Sequence, residues 1–382
     1  MKTSLISVLI LQLLSINLAA DLQIYYKDFM ESHGYKLEEN LAITDDGFIL
    51  NVWHLNPKVP NGKVAFLQHG LSDTAWCFFQ LGSKSLPFLL LKEGYDVWLG
   101  NIRGNIFSHN QVSEDLSTFK SGSKDHTIDD FVQHDFPAMI KLVRSKTGGK
   151  KINYIGHSQG TTMFFMLAMH NPTLAEESFE HFAALGTVVN LAHVEFAPIV
   201  LMDRIYAILK AAGIFHTFNL NNVERNIVAK FCKTTPGICA KAFDYCASIR
   251  PSGRMDYKNI YNYLYYFPGG VSKTNLMHWS QIHQMKKLVY YNPNFEKEKT
   301  AQEYNIENLK KWKIKALIAR TDDDTFSSYQ DVTDFYDMVE DKSYVNILEL
   351  VNYGHVDCLD KSSTFLPRHL SIMVSSTIKQ LT

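Results

Sequence analysis

The sequence predicts an α/β fold: a mostly parallel sheet covered by helices on both faces, with a mainly helical insertion ahead of its last strands. Short β-prone runs alternate with apolar helical stretches from about residue 35 to residue 170. Such alternation is the mark of a buried parallel sheet. From about Leu191 to about Asn308 a segment rich in Tyr, Phe, Met and Lys replaces it, and strand patterns return at 313–319 and 345–350. A chain of 382 residues with 46% hydrophobic content can bury an enzyme-sized core.

Taken in order, Lys2 precedes the apolar run 5–14, and Ala19-Ala20 closes it. Residues 1–20 therefore read as a secretory signal peptide, cut near Ala20 and too short to span a bilayer. Later in the chain no apolar stretch reaches ~18 residues, so no transmembrane segment is expected. Residues 35–44 and 48–55 are expected strands, joined through Asp45-Asp46-Gly47 as a hairpin. A strand at 63–68 ends at His69-Gly70, a helix follows at 85–93, and then a strand at 95–99. Apolar residues at helical spacing mark 128–145 as a helix, leading into a strand at 152–155 and an apolar helix at 161–170. The folded body is expected over 21–190 and 309–382, with 191–308 as the insertion and a helix within it at 203–212.

With 38 basic and 39 acidic residues, no charge excess points to nucleic acid or to an anionic membrane. Five cysteines permit at most two bridges. Cys232 and Cys239 flank Thr235-Pro236-Gly237, a turn that brings two sulfurs together, so this pair is the expected disulfide. Cys77 and Cys358 are expected as buried apolar side chains. No paired Cys-x-x-Cys or His-x-x-x-His spacing accompanies the cysteines, so no metal site is expected. The chain has no Asn-x-Ser/Thr acceptor free of proline, so N-glycans are not expected.

Gly156-His157-Ser158-Gln159-Gly160 is a G-x-S-x-G sequence. The pentapeptide alone arises by chance; its flanks give it meaning. A β-prone run before it and an apolar helical run after it supply the strand, sharp turn and helix of the nucleophile elbow in the α/β-hydrolase fold. Ser158 is then the candidate nucleophile. A serine hydroxyl attacks poorly until a histidine takes its proton, and an acid must orient that histidine. In this fold the acid and then the histidine follow the serine, each in a loop after a strand. The strand at 345–350 runs into Asn352-Tyr353-Gly354-His355, which makes His355 the candidate base. The strand at 313–319 runs into Asp322-Asp323-Asp324, and the three aspartates compete for the role of acid. Asp357 stands too close in sequence to face His355. Two amide donors must hold the oxyanion that develops during acyl transfer. Gln159, at a helix N-terminus, offers one, and Leu71, after His69-Gly70, offers the other.

Several blocks now point further. Leu67-Gln68-His69-Gly70-Leu71, Tyr95-Asp96-Val97-Trp98-Leu99-Gly100-Asn101, Arg103-Gly104-Asn105, Asp135-Phe136-Pro137-Ala138, the elbow itself and His278-Trp279-Ser280-Gln281 resemble the acid lipase family, which includes gastric and lysosomal acid lipases. The resemblance runs from about Gly34 to His355. In that family the catalytic Asp lies seven residues before an Asp-Val pair; Asp331-Val332 matches the pair, which implies Asp324 as the acid. The resemblance also implies a cap with a lid over 191–308, a disulfide in that cap, and hydrolysis of lipid esters at a lipid–water interface without metal or cofactor. A secreted serine ester hydrolase acting on neutral lipids such as triacylglycerols or sterol esters is therefore expected, extracellular, in a gut lumen, or lysosomal. A silent lipid carrier on the same scaffold is the alternative, and the retention of Ser158, His355 and a matching acid stands against it. The chain departs from the family at Pro268-Gly269-Gly270-Val271-Ser272, where Pro-Ala-Gly-Thr-Ser is usual. It departs again at Cys358, where an aromatic residue is usual, and in lacking glycosylation sites.

Overall fold

Six apolar runs align as the parallel centre of one ten-stranded sheet. The structure, a computed structural model, describes residues 25–108, 110–112, 119–121, 125–194, 216–217, 222–247 and 260–359. The expected leader at 1–20 and the helix at 203–212 lie outside the described residues. In chain order the strands are β1 Leu37–Ile43, β2 Phe48–Leu55, β3 Val64–Gln68, β4 Asp96–Gly100, β5 Asn110–Val112, β6 Phe119–Ser121, β7 Ile152–His157, β8 Phe179–Leu185, β9 His216–Thr217, β10 Val271–Ser272, β11 Lys315–Thr321 and β12 Val345–Leu350. β4, β3, β7, β8, β11 and β12 lie side by side and parallel. β2 runs antiparallel beside β4, shares that edge with β5, and pairs along its other edge with β1. The pair β9–β10 stands apart from the main sheet.

Alternate residues of the parallel strands feed two separate cores, as the period of a strand requires. Phe66, Tyr154, Phe182 and Ile318 enter one core, and Leu67, Ile155, Ala183 and Leu317 enter the other. In the first, Phe164 of the helix Gln159–His170 stacks on Phe182 at 4.1 Å between ring centroids, and Tyr154 lies 4.9 Å from Phe164. That helix is buried from Gln159 to Met169, which explains why its sequence is apolar on every side. Among the described residues no helix is long and apolar enough to cross a membrane.

Two elements differ from expectation. The helix expected at 128–145 is divided into a short turn Ile128–Asp130, a π-helical stretch Phe131–Asp135 and the helix Phe136–Lys146. Pro137 lacks an N–H and would press its ring on the carbonyl of Gln133 in a regular helix, and the wider π turn relieves that conflict. Strand β8 has no counterpart in the sequence expectation. It begins directly after the helix Pro172–Ser178, with no Gly or Pro to mark the change.

Arg103 ties the outer hairpin to the split helix. Its backbone N–H and Nε donate to the two oxygens of buried Asp135 at 2.9 and 2.7 Å, and its guanidinium meets both oxygens of Asp46 in the β1–β2 turn. Two of the family-like blocks, Arg103-Gly104-Asn105 and Asp135-Phe136, thus meet in one buried ion pair. Replacing Arg103 with Met strands the Asp135 charge in a dry site, and the expected loss of unfolding free energy in a urea titration is about 3–5 kcal/mol.

Candidate active site

Because β3, β7, β8, β11 and β12 are parallel, their C-terminal ends share one edge of the sheet, and each contributes a loop there. The turn after β7 carries Ser158 at φ 54° and ψ −123°. A non-glycine residue in this left-handed region costs about 1–3 kcal/mol. Close packing enforces it. A Cβ on Gly156 would lie 2.8 Å from the Gly160 carbonyl, and one on Gly160 would lie 2.5 Å from the Gln68 carbonyl. Strand, helix and the end of β3 therefore touch backbone to backbone, and the serine between them is pushed outward.

Ser158 Oγ lies 2.7 Å from His355 Nε2, and His355 Nδ1 lies 2.7 Å from Asp324 Oδ2. The other oxygen of Asp324 accepts the amides of Phe326 and Ser327 at 2.7 and 2.9 Å. A carboxylate held by two amides cannot rotate away from the imidazole. Among the three consecutive aspartates, Asp324 is the one that meets His355. Asp322 instead accepts the amide of Asn352 at 2.6 Å, bracing one loop against the other. Asp357 accepts the Gly354 amide at 2.8 Å within its own turn. Gly186, after β8, has φ +52°, and a Cβ there would lie 3.1 Å from the His355 ring. Nothing in the sequence marks that glycine as the space for the imidazole.

The loop after β3 brings Leu71 to the same place. The Gly70 carbonyl is held by His69 Nδ1 at 2.8 Å and by the Asp73 amide at 3.3 Å. In a trans peptide the C=O and the following N–H point opposite ways, so anchoring the Gly70 oxygen aims the Leu71 N–H away from it. The His69 tautomer follows from its partners. Nδ1 donates to a carbonyl, and Nε2 accepts from Asn105 Nδ2 at 3.2 Å and from the Ile102 amide at 3.4 Å. Burial pushes the His69 imidazole down to about 4, so it remains neutral in this arrangement. Asn105 in turn donates to Asn101 Oδ1, which accepts the Ala75 amide. These asparagines entered the sequence argument only as family-like blocks; their role depends on contacts across the fold.

Gln159 follows the serine at the helix N-terminus, and its side-chain oxygen accepts Trp279 Nε1 at 2.8 Å. The His278-Trp279 block, on the helix Lys273–Met285, thus reaches the elbow. His157 donates Nε2–H to the His355 carbonyl at 3.1 Å, and burial pushes its pKa down to about 3, so it too is neutral.

Residues 260–272 dock on the β3 loop through several contacts. Trp76 Nε1 donates to the Asn262 carbonyl at 3.0 Å, and the Gly269 amide donates to the Ser72 carbonyl at 2.6 Å. A Cβ on Gly269 would lie 2.5 Å from Thr74 Cγ2 and 2.9 Å from the Asp73 carbonyl. The family's alanine would not fit there, which explains the departure noted in the sequence. Cys232 and Cys239 are joined as a disulfide between the helices Asn222–Thr234 and Pro236–Ala247, while Cys77 and Cys358 are buried thiols. Beside these contacts lies a cavity of about 310 Å³, lined by Ser158, His355 and Leu71 and by apolar side chains including Phe243, Phe267, Phe326 and Val356.

Residues 66–210 match the family model described as alpha/beta hydrolase fold, and residues 26–82 match the partial alpha/beta-hydrolase lipase region. Gastric triacylglycerol lipase of Mus musculus is 34% identical over 279 residues, covering 68% of this chain and 67% of that protein. The gastric triacylglycerol lipase of Bos taurus is 31% identical over 352 residues, covering 85% and 84%. Among solved structures, an esterase from Exiguobacterium antarcticum is similar in fold, with a TM-score of 0.55 at 12% identity, covering 88% of this chain and 100% of that one. Similarity to two lipases at this identity and coverage, on this sheet and with this elbow, places the chain in the acid lipase family, carboxylic ester hydrolases of the α/β-hydrolase fold.

Proposed function

We propose that the protein is a secreted serine lipase that cleaves neutral lipid esters, triacylglycerols or sterol esters, through an acyl-enzyme on Ser158. The observation that carries this is the Ser158–His355–Asp324 chain, two contacts of 2.7 Å, opening onto an apolar cavity. Asp324 holds the imidazole with Nδ1–H toward itself, leaving the Nε2 lone pair facing the serine. His355 takes the Oγ proton as Ser158 attacks the ester carbonyl carbon. The carbonyl oxygen becomes an oxyanion held by the Leu71 and Gln159 amides, each such donor being worth about 10²–10³ in kcat. Collapse expels the alcohol, which takes the proton from Nε2. Water then enters, gives its proton to His355 and displaces the acyl group; the acid leaves and Ser158 recovers its proton. No step requires a metal or cofactor. In this reading residues 191–308 cap the cavity, and the leader at 1–20 exports the chain.

The aromatic and aliphatic walls support a lipid acyl chain as the occupant, because each buried methylene contributes about 0.8 kcal/mol. Ser158→Ala is expected to abolish hydrolysis of an emulsified long-chain triacylglycerol, a loss of about 10⁶ in kcat, and to abolish labelling by a fluorophosphonate. Wild-type turnover by that variant would refute the assignment. Asp324→Asn leaves the shape intact but removes the acceptor for Nδ1–H, so kcat is expected to fall about 10⁴-fold with KM little changed. If Asp324→Asn keeps its rate while Asp323→Asn loses it, the acid lies elsewhere.

A further inference from the structure

The mechanism above makes no use of one carboxyl in the cavity wall. Asp73 is 4% exposed and lines the same cavity as Ser158, two residues beyond Leu71. Its Oδ1 accepts the Thr74 amide at 2.8 Å, and its Oδ2 accepts the phenol of Tyr263, on the helix Ile260–Tyr266, at 2.9 Å. No lysine or arginine lines the cavity among the described residues. The groups that surround the Asp73 carboxyl are the Tyr263 phenol from the insertion and the Cys77 thiol on the turn Ala75–Phe79, together with the imidazoles of His157 and His355 lining the same cavity. Behind His355 stands Asp324, already engaged by the imidazole and two amides. Neither the phenol nor the thiol supplies a positive charge, so an ionised Asp73 stands in an apolar space with two hydrogen bonds and no cation.

We propose that Asp73 is the residue by which the cavity distinguishes the uncharged ester from the carboxylate it is cleaved into. The inference rests on ester hydrolysis in this cavity. An ester brings no charge and is indifferent to Asp73. The product acid is an anion above mildly acidic pH, and a second anion in the same low-dielectric space repels it. Burial pushes the Asp73 carboxyl up to about 7. Below that pH the carboxyl is neutral and tolerates the fatty acid; above it the carboxyl is charged and expels it. Tyr263 stabilises the anion through its hydrogen bond, so the insertion takes part in setting where the change falls.

Calorimetric binding of decanoate to the full chain tests this without relying on turnover, with decanol as the uncharged chain of equal length. Decanoate is mostly ionised in solution at both pH 5.5 and pH 8.5, and what remains of its own titration is common to the wild type and the variant. Wild type is expected to lose decanoate affinity between these pH values by about tenfold more than Asp73→Asn. Decanol is expected to bind equally at both pH values in both proteins. Equal pH dependence of decanoate binding in the two proteins would overturn the proposal, as would a matching shift for decanol, which would mean that the cavity changes shape. Tyr263→Phe gives a second measure: with its donor removed, the carboxyl stays neutral to higher pH, and the loss of decanoate affinity should move upward. Ester hydrolysis by wild type, assayed separately, reports on the catalytic reading. If wild type hydrolyses the ester but decanoate binding has the same pH dependence in wild type and Asp73→Asn, only the role of Asp73 fails.

Discussion

The approach of three backbone segments around Ser158 governs the rest of the site. Gly156, Gly160 and Gly70 each lack a Cβ where another segment comes within 3 Å of that position. A methyl group at any of them would force apart the elbow strand, the helix behind it or the β3 loop. Contact at this range holds the serine in its left-handed conformation and aligns it with the loop that carries Leu71. Hydrogen bonds then refine what sterics impose. The Tyr154 hydroxyl donates to the Gly160 carbonyl at 2.7 Å, closing the elbow strand on its own helix, and the Ser158 amide donates to the Leu185 carbonyl at 3.0 Å, linking the elbow to β8.

Much of this was legible in the sequence because it is local. Strands such as Phe48–Leu55 and Val345–Leu350 are contiguous apolar or alternating runs, and the elbow is a pattern of five residues. Ser158 and His355 each follow a recognisable strand. Asp324 was not separable from its two neighbours by residue type, since all three are aspartates; a resemblance in spacing singled it out, and the structure places it against His355. What the sequence did not disclose is carried by contacts between distant residues. His69 and Asn105 stand 36 positions apart, and Trp279 and Gln159 stand 120 apart. Gly186 looks like any turn glycine until the His355 ring is seen beside it. Strand β8 was hidden for a different reason: a helix runs into it without a breaker, so periodicity changes with no punctuation.

The polar groups around the site form a support of mostly neutral residues. His69 and His157 are kept uncharged by burial, and Asn101 and Asn105 link side chains to loop amides. Neutral hydrogen-bonded groups hold geometry without setting a competing field beside Ser158. The strong ion pair of Arg103 and Asp135 is placed elsewhere, in the first core beneath the hairpin. Separation of this kind lets the scaffold use charge for rigidity while the cavity stays apolar. Asp73 is the exception inside the cavity wall, and its lack of a cation sets it apart from Asp135.

The order of strands across the sheet has a consequence for how the molecule comes into being. Ser158 and His355 are separated by 197 positions, and the base arrives on the loop that follows the outermost parallel strand, β12. That strand pairs with β11, which pairs in turn with β8, so serine and histidine meet only when the sheet extends to this flank. Contacts so remote in sequence form late, because closing long loops is entropically costly. A chain emerging from the ribosome therefore carries Ser158 without its histidine partner through most of synthesis. Any activity that needs the two side chains together is thereby withheld until β12 takes its place at the edge of the sheet.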